Sequence, residues 1–415
     1  MSRILFLTQV FPYPLDAGPK VRAYYMLRHL AASHEVTLVS FVRADDRPEA
    51  VAHLRRFCVA VHTVPVHRSA VRNLRAGLKG LLTGLPVVIL RDEMEEMGRL
   101  LRRLTGQIPF DVIHADQLSM AGYGLRAAQL ARVVGGMPQT LLDEHNAVYL
   151  LAERMAVTET RLLRRLLMTR ESRAFRRYEM EMCRRYDSVL TVTAEDREHL
   201  LALFGTAESA EARRKFTVVP ICVDPEAVRP VARAGAGPPT ILSLGTMFWP
   251  PNIAGVQWFT RQVLPRVHTA VPEARFVVLG KGPPPEVTRL ASDPRIVVTG
   301  YVADPAPYLA AADAFVVPLH AAGGMRVKIL DAWLWGVPIV STPIGAEGIE
   351  CSDGENLLIA ETAPAFAAAV VRLLTDSALN DRLREAGRRW AEARYGWQEA
   401  YGMVDNVYAS LLGSP

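Results

Sequence analysis

Nowhere in the 415 residues is there a run of about eighteen uncharged apolar residues, so no membrane-spanning helix is expected. The opening MSRILFLT reaches Pro12 and Pro14 too early for a signal peptide, and a cytosolic protein is the expectation. The four cysteines, Cys58, Cys183, Cys222 and Cys351, are far apart and include no CxxC pair. That excludes a disulfide framework or a zinc site and leaves them as small core residues or bystanders. A DxD-like pair in a suitable loop and a His/Cys cluster are both missing, so no metal is expected. No good GxGxxG follows a first strand, which counts against a plain dinucleotide enzyme. No internal repeat of roughly 20–50 residues is visible.

What is present is length, apolar content and positive charge. A chain of this size that is 50% hydrophobic can bury a large core and favours two domains over one. The net charge is +5 and the pI about 9.1, with arginines crowded at Arg161, Arg164, Arg165, Arg170, Arg173, Arg176, Arg177, Arg184 and Arg185 among leucines. These predict a basic, partly amphipathic helix. Stacking aromatics and reader motifs do not accompany it, so nucleic acid is not an expected partner. A solvated helix face, offset by Glu171, Glu179 and Glu181, is one reading. Peripheral contact with an anionic membrane is the other, supported by the apolar stretch 74–90 with its Arg75 and Lys79. The sequence does not reveal the oligomeric state.

Short β-branched runs alternate with helical-period segments from end to end, the pattern of parallel sheets with crossover helices. The first sheet is predicted from 3–8, 35–42, 59–65, 110–115, 139–143 and 187–193. A Pro/Gly-rich VARAGAGPP at 231–239 marks a linker. The second sheet is predicted from 240–244, 275–279, 295–302, 313–319, 338–341 and 356–359. The expected fold class is α/β, two doubly wound Rossmann-like domains with a ligand cleft where the carboxyl ends of their strands face each other. Apolar residues at helical spacing in 397–412 predict a final helix that needs a partner surface.

The most informative stretch is GGMRVKILDAWLWGVPIVST at 323–342, continued by PIGAEG at 343–348. A strand delivers the chain into Gly323 and Gly324, and a helix is predicted from about Met325. Free N–H groups and a positive dipole end there suit a diphosphate. Arg326 and Lys328 add formal charge, and Asp331 offers a carboxylate for hydroxyls. A βα unit whose glycines only turn the chain accounts for the same residues.

This stretch resembles the donor signature of the retaining GT-B glycosyltransferases, in particular glycosyltransferase family 4, in which E-x7-E precedes G-x-P-V-V. Three further segments resemble that family's motifs: LGTMFWPPN at 244–252, TGYV at 299–302 and ADAFVVP at 312–318. The resemblance implies that Asp331 holds the nucleotide ribose and that the backbone at Met325 and Arg326 meets the diphosphate. It places Gly300, Tyr301 and Val302 against the base, with Gly245 at the first glycine loop. Gly323 stands where the family has its first carboxylate, and Asp331 is one methylene shorter than the second. The family's lysine after the first strand of this domain is absent, leaving Arg326, Lys328 or Lys281 to supply the charge that stabilises the leaving diphosphate.

In the first half, FPYPLDAGPK at 11–20 resembles the family's phosphate-side glycine loop. Gly18 is its candidate, with Lys20 and Arg22 as phosphate or acceptor contacts. DEHN at 143–146 follows a strand, and His145 resembles the histidine that the family aims at the donor sugar. A structural histidine is the plainer reading of the residue taken alone. Asp143, Glu144 and Asn146 are weaker acceptor candidates. YDSVLTVTAED at 186–196 and FTVVPICVD at 216–224 resemble architectural segments of the family.

The resemblance therefore implies a metal-independent, hexosyltransferase-type enzyme with GT-B architecture. Domains are expected at 1–225 for the acceptor and 236–395 for the nucleotide-sugar, with 396–415 packing back on the first. The donor would be UDP- or GDP-linked, no cofactor would be needed, and a glycan, lipid-linked or small-molecule acceptor would be glycosylated with retention. A sugar-nucleotide epimerase or an inactive nucleotide-sugar-binding protein would share this architecture.

Overall fold

The computed structural model describes residues 1–15, 17–43, 48–66, 69–230, 237–321 and 324–413. The chain divides into two units, Met1–Cys222 with Trp397–Pro415, and Val223–Gly396. Of the expected linker, 231–236 lie outside the described residues.

Runs such as Ile4, Leu5, Phe6 and Leu7 are fully buried, as the strands of a sheet covered on both faces must be. The first unit holds β1 (Arg3–Thr8), β2 (Glu35–Val42), β3 (Ala60–Pro65), β4 (Val112–Asp116), β5 (Gln139–Glu144), β6 (Ser188–Thr191) and β7 (Phe216–Val218). They form one sheet in the order β3-β2-β1-β4-β5-β6-β7, with every recorded pairing parallel. The second unit holds β8 (Thr240–Leu244), β9 (Arg275–Leu279), β10 (Ile296–Gly300), β11 (Ala314–Val317), β12 (Ile339–Ser341) and β13 (Leu358–Ile359), ordered β10-β9-β8-β11-β12-β13. Both are doubly wound sheets, whose winding reverses between β1 and β4 in one and between β8 and β11 in the other. Crevices for ligands open at such reversals, beyond the carboxyl ends.

Eight helices position the features below. They are α1 (Gly18–Leu30), α2 (Ala70–Thr83), α3 (Leu118–Val133), α4 (Val148–Thr158), α5 (Leu162–Arg185), α6 (Pro250–Trp258), α7 (Val327–Leu334) and α8 (Trp397–Leu412). Helix α8 joins the first unit through Tyr408, whose hydroxyl meets His114 Nδ1 at 2.8 Å, and Tyr401, which is fully buried. Helix α7 is anchored in the second unit by Trp333. Its indole N–H donates to the Asn356 carbonyl at 2.9 Å, and the ring lies so close to Gly387 that a Cβ there would stand 2.2 Å from Cδ1. Deleting a buried aromatic of this kind costs about 3–5 kcal/mol. The anchor fixes which face of α7 remains accessible.

Strand ends shift by a few residues elsewhere, and three differences from the sequence expectation bear on the site. The fourth strand ends at Asp116, one residue later, so a carboxylate closes it. The 216–224 segment contributes a seventh strand, β7. Helix α7 starts at Val327 rather than near Met325, because Arg326 takes the N-cap position with non-helical backbone angles (φ −92, ψ 82).

Candidate functional site

In the first unit the parallel register sets Thr8 beside Asp116, and Asp116 beside Asp143, at the carboxyl edge of β1, β4 and β5. Successive strand residues face opposite ways, so Asp143 and Glu144 part company. Asp143 turns to α1, where Arg22 Nε and Nη2 reach its oxygens at 2.7–3.0 Å. Arg22 Nη1 also donates to the Val219 carbonyl at 2.7 Å, and both side chains of the pair are fully buried. Burial would raise the Asp143 pKa, but Arg22, His114 and His145 hold the carboxyl well below the usual range. Arg22 was expected as a phosphate or acceptor contact and Asp143 as an acceptor contact; full burial corrects that, since the two side chains pair with each other and neither meets solvent.

Glu144 turns to the opposite face, toward α5. Burial and the nearby Glu179, Asp143 and Asp196 push its pKa well up. Its expected acceptor role is likewise corrected, because only 1% of the residue is exposed. Glu179 accepts the N–H groups of Val148 and Tyr149 at 2.6 and 2.8 Å, and Asp196 that of Ala147 at 3.0 Å. These carboxylates cap the start of α4 and hold the loop that carries His145 and the half-buried Asn146.

His145 lies on the Asp143 side. Its Nε2 is 2.8 Å from Asp116 Oδ1, with the side chain 9% exposed. A carboxylate only accepts, so Nε2–H donates to it, and in a neutral ring Nδ1 carries the lone pair. Nδ1 has no protein partner, and the same holds for Asp116 Oδ2, Gln117 Nε2, Thr8 Oγ1, Thr191 Oγ1 and both Glu144 oxygens. Buried polar atoms are nearly always satisfied, so the unpartnered atoms of His145, Asp116 and Thr8 on one face of this edge mark a place built for a polar ligand, while those of Glu144 and Thr191 lie on the other face. Gln117 adds a non-glycine residue with positive φ (73°), while its N–H donates to the Asp143 carbonyl at 2.9 Å. Sequence reasoning passed over Asp116 and Gln117, although a carboxylate at the carboxyl end of a central parallel strand was a usable signal. Asp116, Asp143 and His145 bring three potential metal-ligand atoms within 4.8 Å of one another, but the Arg22 guanidinium already supplies a cation to Asp143. Gly18 opens α1, and Lys20 is half-buried in its first turn.

In the second unit the loops beyond β8, β9 and β10 are laced together. Gly245 N–H donates to Leu279 O at 3.0 Å, Gly280 N–H to Gly300 O at 3.0 Å, and Met247 N–H to Lys281 O at 2.8 Å. A Cβ on Gly280 would fall 1.7 Å from Gly245 O, so these two loops meet backbone to backbone. A Cβ on Gly245 would meet Asn252 Nδ2 at 2.7 Å and Lys328 Nζ at 2.9 Å. Lys328 donates to Asn252 Oδ1 at 2.9 Å and thereby carries its charge from α7 to the start of α6.

Helix α7 is buried at Val327, Ile329, Leu330, Ala332, Trp333 and Leu334, which leaves Lys328 and Asp331 half-buried on one stripe. Burial, then Arg326, lowers the Lys328 pKa to about 7; burial raises that of Asp331 to about 7. A partly desolvated cation and anion that the protein leaves incompletely compensated are suited to a charged, hydroxyl-bearing ligand. Arg326 was expected to face phosphate; instead its 5% exposed side chain donates to the carbonyls of Gly324 and Ile344 and sits 3.6 Å from Glu347. Met325 is buried, and Gly324 adopts the left-handed conformation at φ 71°. Lys281 and Tyr301 are exposed on their loops, with Gly300 and Val302 half-buried beside Tyr301. Gly323 lies outside the described residues.

Residues 17–222 match the glycosyl transferase 4-like domain model and residues 238–376 the model described as glycosyl transferases group 1. The lipopolysaccharide core biosynthesis glycosyltransferase LpsE of Rhizobium meliloti is 33% identical over 129 residues, covering 31% of this chain and 36% of that protein. D-inositol 3-phosphate glycosyltransferase 1 of Catenulispora acidiphila is 28% identical over 250 residues, 54% of this chain and 58% of that one. In fold, the chain is similar to Anabaena HepE, whose crystal structure is a complex with UDP and glucose, at a TM-score of 0.68 and 14% identity over 99% of this chain and 100% of that one. With its two parallel doubly wound sheets and both family models matched in order, the chain belongs to the group 1 glycosyltransferases of GT-B fold.

Proposed function

We propose that the protein transfers a hexose from a nucleotide-diphosphate sugar, UDP-linked, to an acceptor hydroxyl with retention of configuration and without a metal. The observation that carries the reading is the α7 stripe, where half-buried Lys328 and Asp331 share one accessible face while the rest of the helix is buried. A diphosphate restores the proton to Lys328, and a ribose hydroxyl pair donates to ionised Asp331. The amides at Met325 and Arg326 add donors, and the loop at Gly300, Tyr301 and Val302 lies against the base. The UDP complex of the HepE structure supports the choice of base.

In the transfer, the bond from the sugar C1 to the diphosphate oxygen breaks, the acceptor oxygen bonds to C1 on the same face, and its proton passes to the departing phosphate. The Lys328 ammonium stabilises the charge that develops on the diphosphate. Within the first unit, His145, held by Asp116, turns its Nδ1 to a polar ligand. The acceptor is a glycan, a lipid-linked saccharide or a small molecule.

Calorimetry with UDP, GDP, ADP, TDP and CDP, each with EDTA or magnesium, tests the proposal. Micromolar binding of UDP in EDTA, followed by turnover of a UDP-sugar, is the expected result. Asp331→Ala should weaken that binding by about 1.5–3 kcal/mol through loss of a charged hydrogen bond. Failure of every diphosphate to bind would remove the donor site from α7.

A further inference from the structure

Helix α2 is built inside out. Its buried residues are the small ones, Ala76 and Gly80, whereas Val71, Leu74, Leu78, Leu81 and Leu82 recur at helical spacing on the exposed side. The four leucines are 55% to 88% exposed. A helix of a globular domain ordinarily buries such a stripe. This one is nevertheless a formed helix: Ser69 caps its start by accepting the Arg72 N–H at 3.2 Å, and Gly84, at φ 71°, closes its end onto Gly80 O.

The first turns of α5 repeat the feature, with Leu162, Leu163, Leu166 and Leu167 58% to 72% exposed. The two helices are tied in one region of the first unit. Arg170 of α5 donates to the carbonyls of Gly80 and Leu85, and Arg177 to that of Gly84 at 3.4 Å. Residues 70–83 contain Arg72, Arg75 and Lys79 and no acidic residue, and 161–170 contain Arg161, Arg164, Arg165 and Arg170 and no acidic residue. Beside the junction, a groove of about 810 Å³ is lined by Thr83, Leu85, Arg126, Arg177 and Arg185, with Glu181 as its one carboxylate.

We infer that α2 and the first turns of α5 form a docking surface for an anionic phospholipid bilayer. The leucines enter the acyl boundary, the arginines meet the headgroup phosphates, and the arginine-lined groove receives one headgroup. Charge complementarity selects this occupant. Lys79 is paired with Glu93 at 2.6 Å and Arg170 with Glu171 at 2.8 Å, but the seven cations of 70–83 and 161–170 outnumber these carboxylates, and two leucine-faced helices with such an excess of positive charge match a negative lipid surface. Among the described residues no helix is long and apolar enough to cross a membrane, so the contact is interfacial.

The test is co-sedimentation of the full chain with phosphatidylcholine vesicles containing either none or about 30% phosphatidylglycerol, at two salt concentrations. Binding to the anionic vesicles alone, weakened by salt, is expected. Replacing Arg161, Arg164 and Arg165 by Gln should reduce it roughly a hundredfold. Two separate sets, Leu78, Leu81 and Leu82 to Ser in α2, and Leu163, Leu166 and Leu167 to Ser in α5, should each reduce it tenfold or more. All nine side chains are exposed, so the variants retain the fold. Wild-type protein left in the supernatant, or binding indifferent to all three sets, would overturn the inference. So would a wild-type dimer that the leucine variants convert to monomer without any vesicle binding. Because the readout involves no nucleotide, a failure here is distinct from a failure of the transferase reading.

Discussion

The polar clusters of the two units follow opposite rules. At the edge of β4 and β5, charge is compensated inside the protein: Asp143 has Arg22, and His145 has Asp116. On α7, Lys328 has the neutral Asn252, and burial moves both Lys328 and Asp331 to a pKa of about 7. A compensated buried pair organises structure, and its removal is felt as stability. An incompletely compensated pair stores a demand for a ligand, and its removal is felt as affinity.

The sharpest way to break the contrast is Arg22→Met. It leaves Asp143 charged and buried, and the first unit should lose about 3–5 kcal/mol in urea unfolding. Adding Asp143→Leu should return most of that; a lone Arg22→Met with unchanged stability would show that the pair is not structural. Next in size is Asp116→Asn, which keeps an acceptor for His145 but not the charge that fixes its tautomer. We expect kcat to fall about 10²-fold with KM little changed, by loss of alignment. An unchanged kcat would reduce Asp116 to packing.

Lys328 yields a smaller, more specific signal. At pH 8.5 the free protein holds it neutral, and a bound diphosphate raises its pKa again, so binding takes up roughly half to one proton. Calorimetry in buffers of different ionisation enthalpy measures this, and Lys328→Met should abolish it. Affinity for the diphosphate should accordingly decline as pH rises above about 7. The smallest effect belongs to Glu144. Burial raises the pKa values of Glu144 and Glu179, the latter to about 8, so the folded state binds protons that the unfolded state releases. Stability present below about pH 4.3 is lost as pH rises through the folded values. Glu144→Gln removes part of that loss and should raise Tm by on the order of 2–4 °C at pH 8.5, with little gain at pH 4.

Two doubly wound sheets were legible in the sequence because strands buried on both faces are written as continuous apolar runs. The predicted and observed bounds of β1, β2, β8 and β9 agree residue for residue. Strand β7 escaped notice because its three residues carry too little pattern. Lys328 and Asp331 were also legible, being spaced to share a helix face. The direction of each side chain at the β5 edge was not: DEHN reads as four adjacent polar residues. Pleating sends Asp143 to Arg22 and Glu144 to Glu179, and only His145 of the three retains an unpartnered atom on the Asp116 side.

By itself, then, the sequence determined the α/β class, the two sheets and the family, since these rest on local periodicity and on motifs contiguous in the chain. Tertiary structure alone decided which charges are spent and which remain available. Arg22 and Asp143 are 121 positions apart and Lys328 and Asn252 are 76, so the outcome depends on burial and on distances of about 3 Å that no local pattern records.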